Sequence, residues 1–458
     1  MLIPGPGRTP YFHRPGPAPS AQGEPPLART TTAADRRHAA PPPPRWLARC
    51  YTLRAADALA SSTVAYAVPL LVLHLTGSAA WTGTAFTLEW VPRLAAIAGA
   101  GPWIDRHSPQ ASALATGAAR AATAALAAAG LLLGGGITDL LAFAVVTGVL
   151  AQCSFLASEA LSADASKAAG PHAHRIQAVC AGIDQGAQLA APLLGGLLLL
   201  IGPTAMLATI TGLSLLMATQ ALALRTQRPR LRLVPQRPAP RLLPALTSGI
   251  RTLRQTPALA WLVAALAAGN LVSGLLEVTA PVVVTQHLHR SSAALGAMWT
   301  IAATASLLAI LAARRAVERF GLYPVGLTAA ITTCLAAFAA ATAPDYTSFT
   351  TAIATLTAAE GAATVMLRTA RARLIPAHNF GATLAATVLL VLAPIPIAGA
   401  LAAAASTHLH ALLLACAAGQ AVALAACFSG LYRHRADYET APETTTATVR
   451  HSEEATAA

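Results

Sequence analysis

Long apolar runs are the feature that most constrains what this 458-residue chain can fold into. Runs of about 20 residues with few charges recur from residue 53 to residue 432. A helix of that length rises about 1.5 Å per residue and crosses a hydrocarbon core of roughly 30 Å. In lipid each backbone N–H and C=O must be satisfied within its own segment, so such runs are helices. The sequence therefore predicts an all-α membrane protein.

The charge of the chain agrees with a membrane location. Only 11% of its residues are charged, against about 25% in soluble proteins. The net charge of +13 comes from arginines that cluster in short segments between the apolar runs, which is how cytoplasmic loops carry charge. We therefore expect a lipid bilayer, and no nucleic acid, as the partner of these arginines.

We predict twelve transmembrane helices in two six-helix bundles. The first six cover residues 51–74, 79–100, 110–133, 137–160, 175–200 and 204–224, and the second six cover residues 258–286, 293–313, 322–342, 347–367, 380–404 and 409–432. The bundles are then residues 51–224 and 258–432, joined by an arginine-rich linker, residues 225–257. Residues 1–50 and 433–458 are predicted to be disordered tails.

The loops alternate in charge, which predicts the orientation of the helices. One set carries almost all of the basic residues, including Arg106, Arg314, Arg371 and those of the linker, whereas the other carries a single one, Arg290. The positive-inside rule then places both termini and the linker in the cytoplasm of a cell (inner or plasma) membrane.

The two halves resemble each other, which predicts a duplicated unit with a site between the copies. Asp105-Arg106 follows the second predicted helix, and Glu318-Arg319 follows the eighth. Proline and glycine interrupt the fifth predicted helix at residues 191–196 and the eleventh at residues 394–399.

Two stretches carry a resemblance to the major facilitator superfamily. The run Gly101-Pro102-Trp103-Ile104-Asp105-Arg106 is similar to the family's loop motif, although the second glycine and the trailing basic residues are missing. Residues 186–196 resemble the Gly-Pro-x-x-Gly-Gly signature of antiporting members, with alanine at position 191. Residues 69–78, with Pro92 and the Asp-Arg loop, look like the enterobactin-exporter and macrolide-efflux branch.

The resemblance implies roles for both stretches. Gly101, Asp105 and Arg106 would form a gating loop, in which the carboxylate accepts hydrogen bonds from a helix N-terminus and latches the cytoplasmic side. The alternative is a solvated pair that only sets topology. Gly186, Pro192, Gly195 and Gly196 would form a hinge typical of antiporters; the alternative is ordinary packing of small residues.

Ionisable residues inside the apolar runs are candidates for proton coupling or substrate binding, because a charge at mid-membrane costs roughly 2.5–3.5 kcal/mol. Glu89 and Arg93 are four residues apart and form either an internal pair or a proton-linked switch. Three further candidates lie in the second half of the chain: Asn270, Glu277 and Glu360. Each of the two acids either carries a proton or a cation, or bonds to a polar group of another helix.

Polar residues of the first half add to these candidates. Asp184 and Gln188 line the cavity, or Asp184 pairs with Arg54 or Arg175. Arg54 and Asp57 are predicted to pair with each other, and Arg120 either reaches the cytoplasm or meets a carboxylate.

The sequence shows no catalytic constellation, no phosphate-binding loop and no cysteine or histidine spacing typical of metal sites, so we predict a non-enzyme without cofactor or metal. The resemblance implies a monomeric secondary transporter that exports a hydrophobic or amphipathic small molecule, a drug or a siderophore-like metabolite, with protons as the coupling ion. An importer of a nutrient and a transport-inactive scaffold or sensor are the alternatives.

Overall fold

The computed structural model of the protein describes residues 44–169, 173–226, 242–375 and 380–439, and within these ranges it contains helices and short connections but no strands. The first bundle consists of α1 (Pro44–Thr76), α2 (Ala79–His107), α3 (Pro109–Leu132), α4 (Ile137–Ala169), α5 (Ala173–Ile201) and α6 (Pro203–Thr226). A shorter helix, α7 (Leu242–Gln255), precedes the second bundle.

The second bundle repeats the pattern with one broken helix. It consists of α8 (Pro257–Val282), α9 (Ser292–Phe320), α10 (Leu322–Ala341), α11 (Tyr346–Leu374), α12 (Phe380–Leu392), α13 (Pro394–Ala404) and α14 (Leu409–Arg433), followed by the single turn α15 (Ala436–Glu439). A π-helical turn, Val283–His287, extends α8. Proline has no N–H to donate, so the chain turns at Ala393, before Pro394 and Pro396, and α12 and α13 together form one span.

Eleven of the described segments are long and apolar enough to cross a membrane. The remaining predicted span is α2, which has 29 residues but is more polar than the other eleven. Glu89, Arg93 and three threonines interrupt its apolar run. It packs against α4 in its own bundle and against α13 in the other. An all-α membrane fold with twelve spans in two bundles is therefore confirmed.

The buried apolar residues show how the bundles meet. Near the ends of α6 and α7, which we call the linker face, each bundle has a core of its own: one contains Leu53, Leu161 and Leu224, and the other contains Leu262 and Leu431. Towards the opposite face a single core contains residues of both bundles, among them Leu71, Phe86, Leu275 and Met298. The bundles are thus joined at the opposite face and separated at the linker face.

The predicted tails and linker differ from the structure in three places. Helix α1 begins at Pro44, so the last residues of the predicted tail are helical. Part of the linker forms α7, whereas residues 227–241 lie outside the described part of the chain. Tyr438, which lies in the predicted C-terminal tail, is buried. Its hydroxyl donates to the Leu431 carbonyl, and the Tyr438 carbonyl accepts a hydrogen bond from Arg373 at 2.6 Å.

The predicted gating loop is also helical in its backbone, because α2 continues to His107. The connection to α3 is Ser108 alone, at φ 73°, and its hydroxyl accepts the Ala111 N–H at the start of α3. The side chains of Gly101, Asp105 and Arg106 lie outside the described part, so the latch stays a prediction.

Candidate functional site: a cavity between the bundles

A cavity of about 580 Å³ lies between the two bundles. The first bundle lines it with residues of α1 and α5, and the second with residues of α8, α9 and α11. Its polar and aromatic wall is formed by Ser62, Tyr66, Gln185, Gln188, Ser273, Glu277, Trp299, Ser306, Thr357, Glu360, Thr364 and Arg368. It extends towards the linker face at Ile310 and Arg368, and three prolines lie at its other end: Pro69, Pro192 and Pro281.

Two seams close the cavity on the opposite face. We call the first the α5–α9 seam. Thr300 donates to the Leu189 carbonyl at 3.0 Å, and Ser292 donates to the Gly196 carbonyl at 2.9 Å. Gly296 packs so closely on the Pro192 carbonyl that a side chain there would overlap it. Small residues thus let the two helix backbones touch, and hydroxyl groups bond to backbone carbonyls across the contact.

The second contact, the α2–α13 seam, follows the same design. A Cβ atom on Gly83 would lie 2.6 Å from both the Gly399 oxygen and the Ala403 nitrogen, so only glycine fits between the helices. Thr87 donates to the Pro396 carbonyl at 3.2 Å. Outside both seams, Gln286 donates to the Gly77 carbonyl at 2.9 Å, joining the connections at the opposite face.

The two acids predicted in the second half of the chain both face this cavity. Glu277 lies on α8 and Glu360 on α11, and Ser273, one turn before Glu277, donates a hydrogen bond to Glu360. The interpretation of Glu360 as bonded to a polar group of another helix is therefore confirmed, and its position in the wall leaves a binding role open as well. Sequence reasoning missed Ser273, although it lies on the same helix face as Glu277.

Glu89 and Arg93 form the predicted pair within α2, with 3.8 Å between Arg93 Nη1 and Glu89 Oε1. Glu89 is 1% exposed, and neither of its carboxylate oxygens accepts a hydrogen bond within the described chain. Arg93 lies over the Trp90 ring at 4.6 Å and lines a side cavity of about 290 Å³.

Asp184 and Gln188 lie together in the wall of the side cavity, and Gln188 also lines the cavity between the bundles. Asp184 also pairs with Arg54, which was the alternative prediction for this acid. Arg54 Nε donates to Asp184 Oδ1 at 3.0 Å, and Arg54 Nη2 donates to Asp184 Oδ2 at 2.5 Å. Arg54 is shared with Glu159 of α4. The predicted Arg54–Asp57 pair is wrong, because each residue pairs with a different helix.

Asp57 instead meets Arg120, which confirms the carboxylate alternative for that arginine. Arg120 Nη2 donates to Asp57 Oδ1 at 3.0 Å, and the Ser158 hydroxyl donates to Asp57 Oδ2 at 2.9 Å. The arginine is fully buried and also donates to Ser61 and Ser214. This pair ties α1, α3, α4 and α6 together beneath the side cavity.

Two predicted residues lie apart from the cavity. Asn270 donates to the Val391 carbonyl at 2.7 Å, beside the α12–α13 break, and faces a separate pocket. Gly186 has open space around it, unlike Gly195, which packs on the Tyr66 ring, and Gly196, which lies against Ser292. Pro192 and Gly196 therefore belong to the α5–α9 seam, whereas Gly195 packs on α1 and Gly186 belongs to neither contact. The hinge role stays a prediction for all four.

A larger groove, of about 1110 Å³, runs along α9, α10 and α11. Its wall consists mainly of alanine and threonine, includes the exposed Ile301 and Phe320, and contains no Asp, Glu, Lys, Arg or His. It lies away from the carboxylates and carries no chemistry for recognition, so the cavity between the bundles is the candidate site.

The fold is shared with solved transporters. A bacterial homologue of the iron transporter ferroportin, in an inward-facing state, has a TM-score of 0.67 at 17% identity, covering 84% of this chain and 99% of that one. A POT family peptide transporter has a TM-score of 0.67 at 13% identity, covering 88% of this chain and 98% of that one. A D-xylose–proton symporter has a TM-score of 0.65 at 12% identity, covering 84% of this chain and 97% of that one. No curated protein matches the chain.

The family model described as Major Facilitator Superfamily matches residues 51–395, which include most of the first bundle, helices α8 to α12 of the second and every residue of the cavity wall. The expected resemblance to this superfamily is confirmed, and with it a secondary transporter in the membrane. The chain belongs to the Major Facilitator Superfamily.

Proposed function

We propose that this chain is a proton-driven exporter of amphipathic small molecules that carry a positive charge. The observation that supports it is the pair of carboxylates, Glu277 and Glu360, in the wall of a cavity between two bundles that touch on one face only. In such a cavity a buried acid holds either a proton or a cationic group of the substrate, but not both. That competition couples the two fluxes.

The cycle we propose uses the two faces of the structure. If the linker face is cytoplasmic, as the arginine distribution predicts, the cavity receives substrate from the cytoplasm. The α2–α13 and α5–α9 seams then open while the linker face closes, and a proton from outside replaces the substrate on the carboxylates. Arg93 pairs with Glu89 of its own helix and is placed to neutralise that acid when it is deprotonated.

The wall of the cavity defines the substrate class. Trp299 and Tyr66 offer aromatic surface, and Glu277 and Glu360 offer two negative groups against the single cation Arg368. An aromatic or aliphatic amine fits this wall through apolar contact, ion pairing and cation–π interaction. An anionic siderophore-like metabolite would meet two like charges, so we favour the drug-like cation among the classes predicted from sequence.

Metal transport, the activity after which the ferroportin homologue is named, has less support here. Among the described residues no three His, Cys, Asp or Glu side chains come together as a metal ion would need. The D-xylose–proton symporter shows that the fold also serves symport. Residues 69–78, which resemble an efflux branch, favour export for this chain.

The experiment uses purified protein in liposomes loaded with ethidium, a planar aromatic cation. We expect an acidic exterior to accelerate ethidium efflux severalfold, and a protonophore to abolish the acceleration, because proton influx drives substrate release. Asp437→Asn, which removes an exposed carboxylate of the C-terminal turn α15, is the control and should behave as wild type. Efflux that ignores the gradient would exclude proton coupling, and acceleration only by an acidic interior would indicate symport.

The seams make a separate prediction. Gly83→Leu should hold the α2–α13 seam open, since its side chain would overlap the backbone of α13. With the native cysteines replaced, a cysteine at Ser62 in the cavity wall should then react several times faster with an impermeant maleimide added at the face opposite the linker. Gly212→Leu is the control, because nothing lies within 4 Å of a Cβ atom at that glycine. Equal labelling in both variants would show that the seam does not gate access.

A further inference from the structure

Helix α7 is amphipathic and lies where a membrane surface would be. Its last residue is followed by Thr256 and then by Pro257, the first residue of the α8 span. It packs along α12, and Gly249 lies directly against Ala382, the first residue of the span that α12 and α13 form. Two span boundaries therefore fix α7 at the depth of the lipid headgroups on the linker face.

The buried side of α7 is closely fitted to the protein. A side chain at position 249 would overlap the Ala382 carbonyl, so glycine permits the contact. Leu253 is 8% exposed and packs in a cluster with Leu259, Val263 and Ile375. The helix is thus held in one rotational setting, which decides what its other side presents.

The exposed side presents Ile250 together with Arg251 and Arg254, one turn apart. Ile250 is 38% exposed, and neither arginine forms an ion pair with any described residue. Residues 225–257 contain eight arginines and no acid. An apolar side chain flanked by unpaired guanidinium groups at headgroup depth matches a phospholipid, whose acyl chain meets Ile250 while its phosphate meets the arginines.

We infer that Arg251 and Arg254 of α7 form a binding site for the headgroup of an anionic phospholipid. The bound lipid holds α7 against the membrane and so fixes the linker-face end of α12. Because α12 continues through the Ala393 break into α13, the helix of the α2–α13 seam, lipid composition would bias the conformational cycle; this last step rests on the proposed function.

The test measures lipid retention by native mass spectrometry on the full chain in detergent with equimolar phosphatidylglycerol and phosphatidylcholine. We expect wild type to retain phosphatidylglycerol preferentially. R251Q/R254Q should reduce the preference at least tenfold, as the loss of two phosphate contacts predicts. R251K/R254K keeps both charges and should retain most of the preference, which also shows that the positions tolerate substitution.

Two further measurements distinguish a lipid phosphate from a free phosphate, and distinguish failure of this inference from failure of the proposed function. Excess inorganic phosphate should not displace the lipid, because it lacks the acyl chain that meets Ile250; displacement would indicate a free-anion site instead. Equal retention of the two lipids, or an unchanged preference in R251Q/R254Q, would overturn the inference. Lipid retention requires no transport, so a preparation that binds phosphatidylglycerol but moves no ethidium would refute the proposed function alone.

Discussion

Replacing Arg120 by methionine should destabilise the first bundle more than any other single substitution at the sites described above. Methionine fills a similar volume but leaves the Asp57 carboxylate buried without its cation. Breaking a buried ion pair from one side typically costs about 3–5 kcal/mol, which is a large share of the stability of a protein. We expect a lower yield of monodisperse protein and a thermal midpoint in detergent that falls by several degrees.

Two controls separate the lone charge from lost packing. Arg120→Met combined with Asp57→Leu removes both charges, and we expect it to recover most of the lost stability. Arg175→Met changes an exposed arginine of α5 and should leave the midpoint unchanged. If Arg120→Met were as stable as wild type, or the double variant were worse than the single one, the pair would not be what holds α1, α3, α4 and α6 together.

The fold could be predicted from the sequence because its main determinant is local. The length of each apolar run decides whether it spans a bilayer, so twelve spans follow without any knowledge of which helices touch. Even α2, the most polar span, is recognisable by its position between its neighbours. Boundaries were less predictable: α7 is amphipathic rather than apolar, and its arginines made it resemble a loop.

The site was only partly predictable, because ion pairing is decided by tertiary contacts. Arg54 and Asp57 are three residues apart and seemed an obvious pair, yet their partners, Asp184 and Arg120, lie 130 and 63 residues away in the chain. Rarity within apolar runs did identify Glu277 and Glu360 as candidates. Nothing local marks Trp299 or Tyr66 as cavity residues, since aromatic side chains occur throughout membrane spans.

Glu277→Gln and Glu360→Gln should each weaken recognition of a cationic substrate and uncouple its transport from protons. Glutamine keeps the shape and hydrogen-bonding capacity of glutamate but carries no charge and takes up no proton. A hydrogen bond to a charged group contributes about 1.5–3 kcal/mol, so the apparent affinity for ethidium should fall by roughly 10- to 140-fold. Ethidium efflux from liposomes, measured against concentration with and without a pH gradient, gives both quantities.

The two variants should differ in a way that assigns the roles. Of the two acids, Glu360 is the one that accepts the hydrogen bond donated by Ser273. Ser273→Ala should therefore weaken ethidium binding only through Glu360 and add little to Glu360→Gln. If both variants kept wild-type affinity and gradient dependence, the carboxylates would be structural, and another group in the cavity would have to carry the proton.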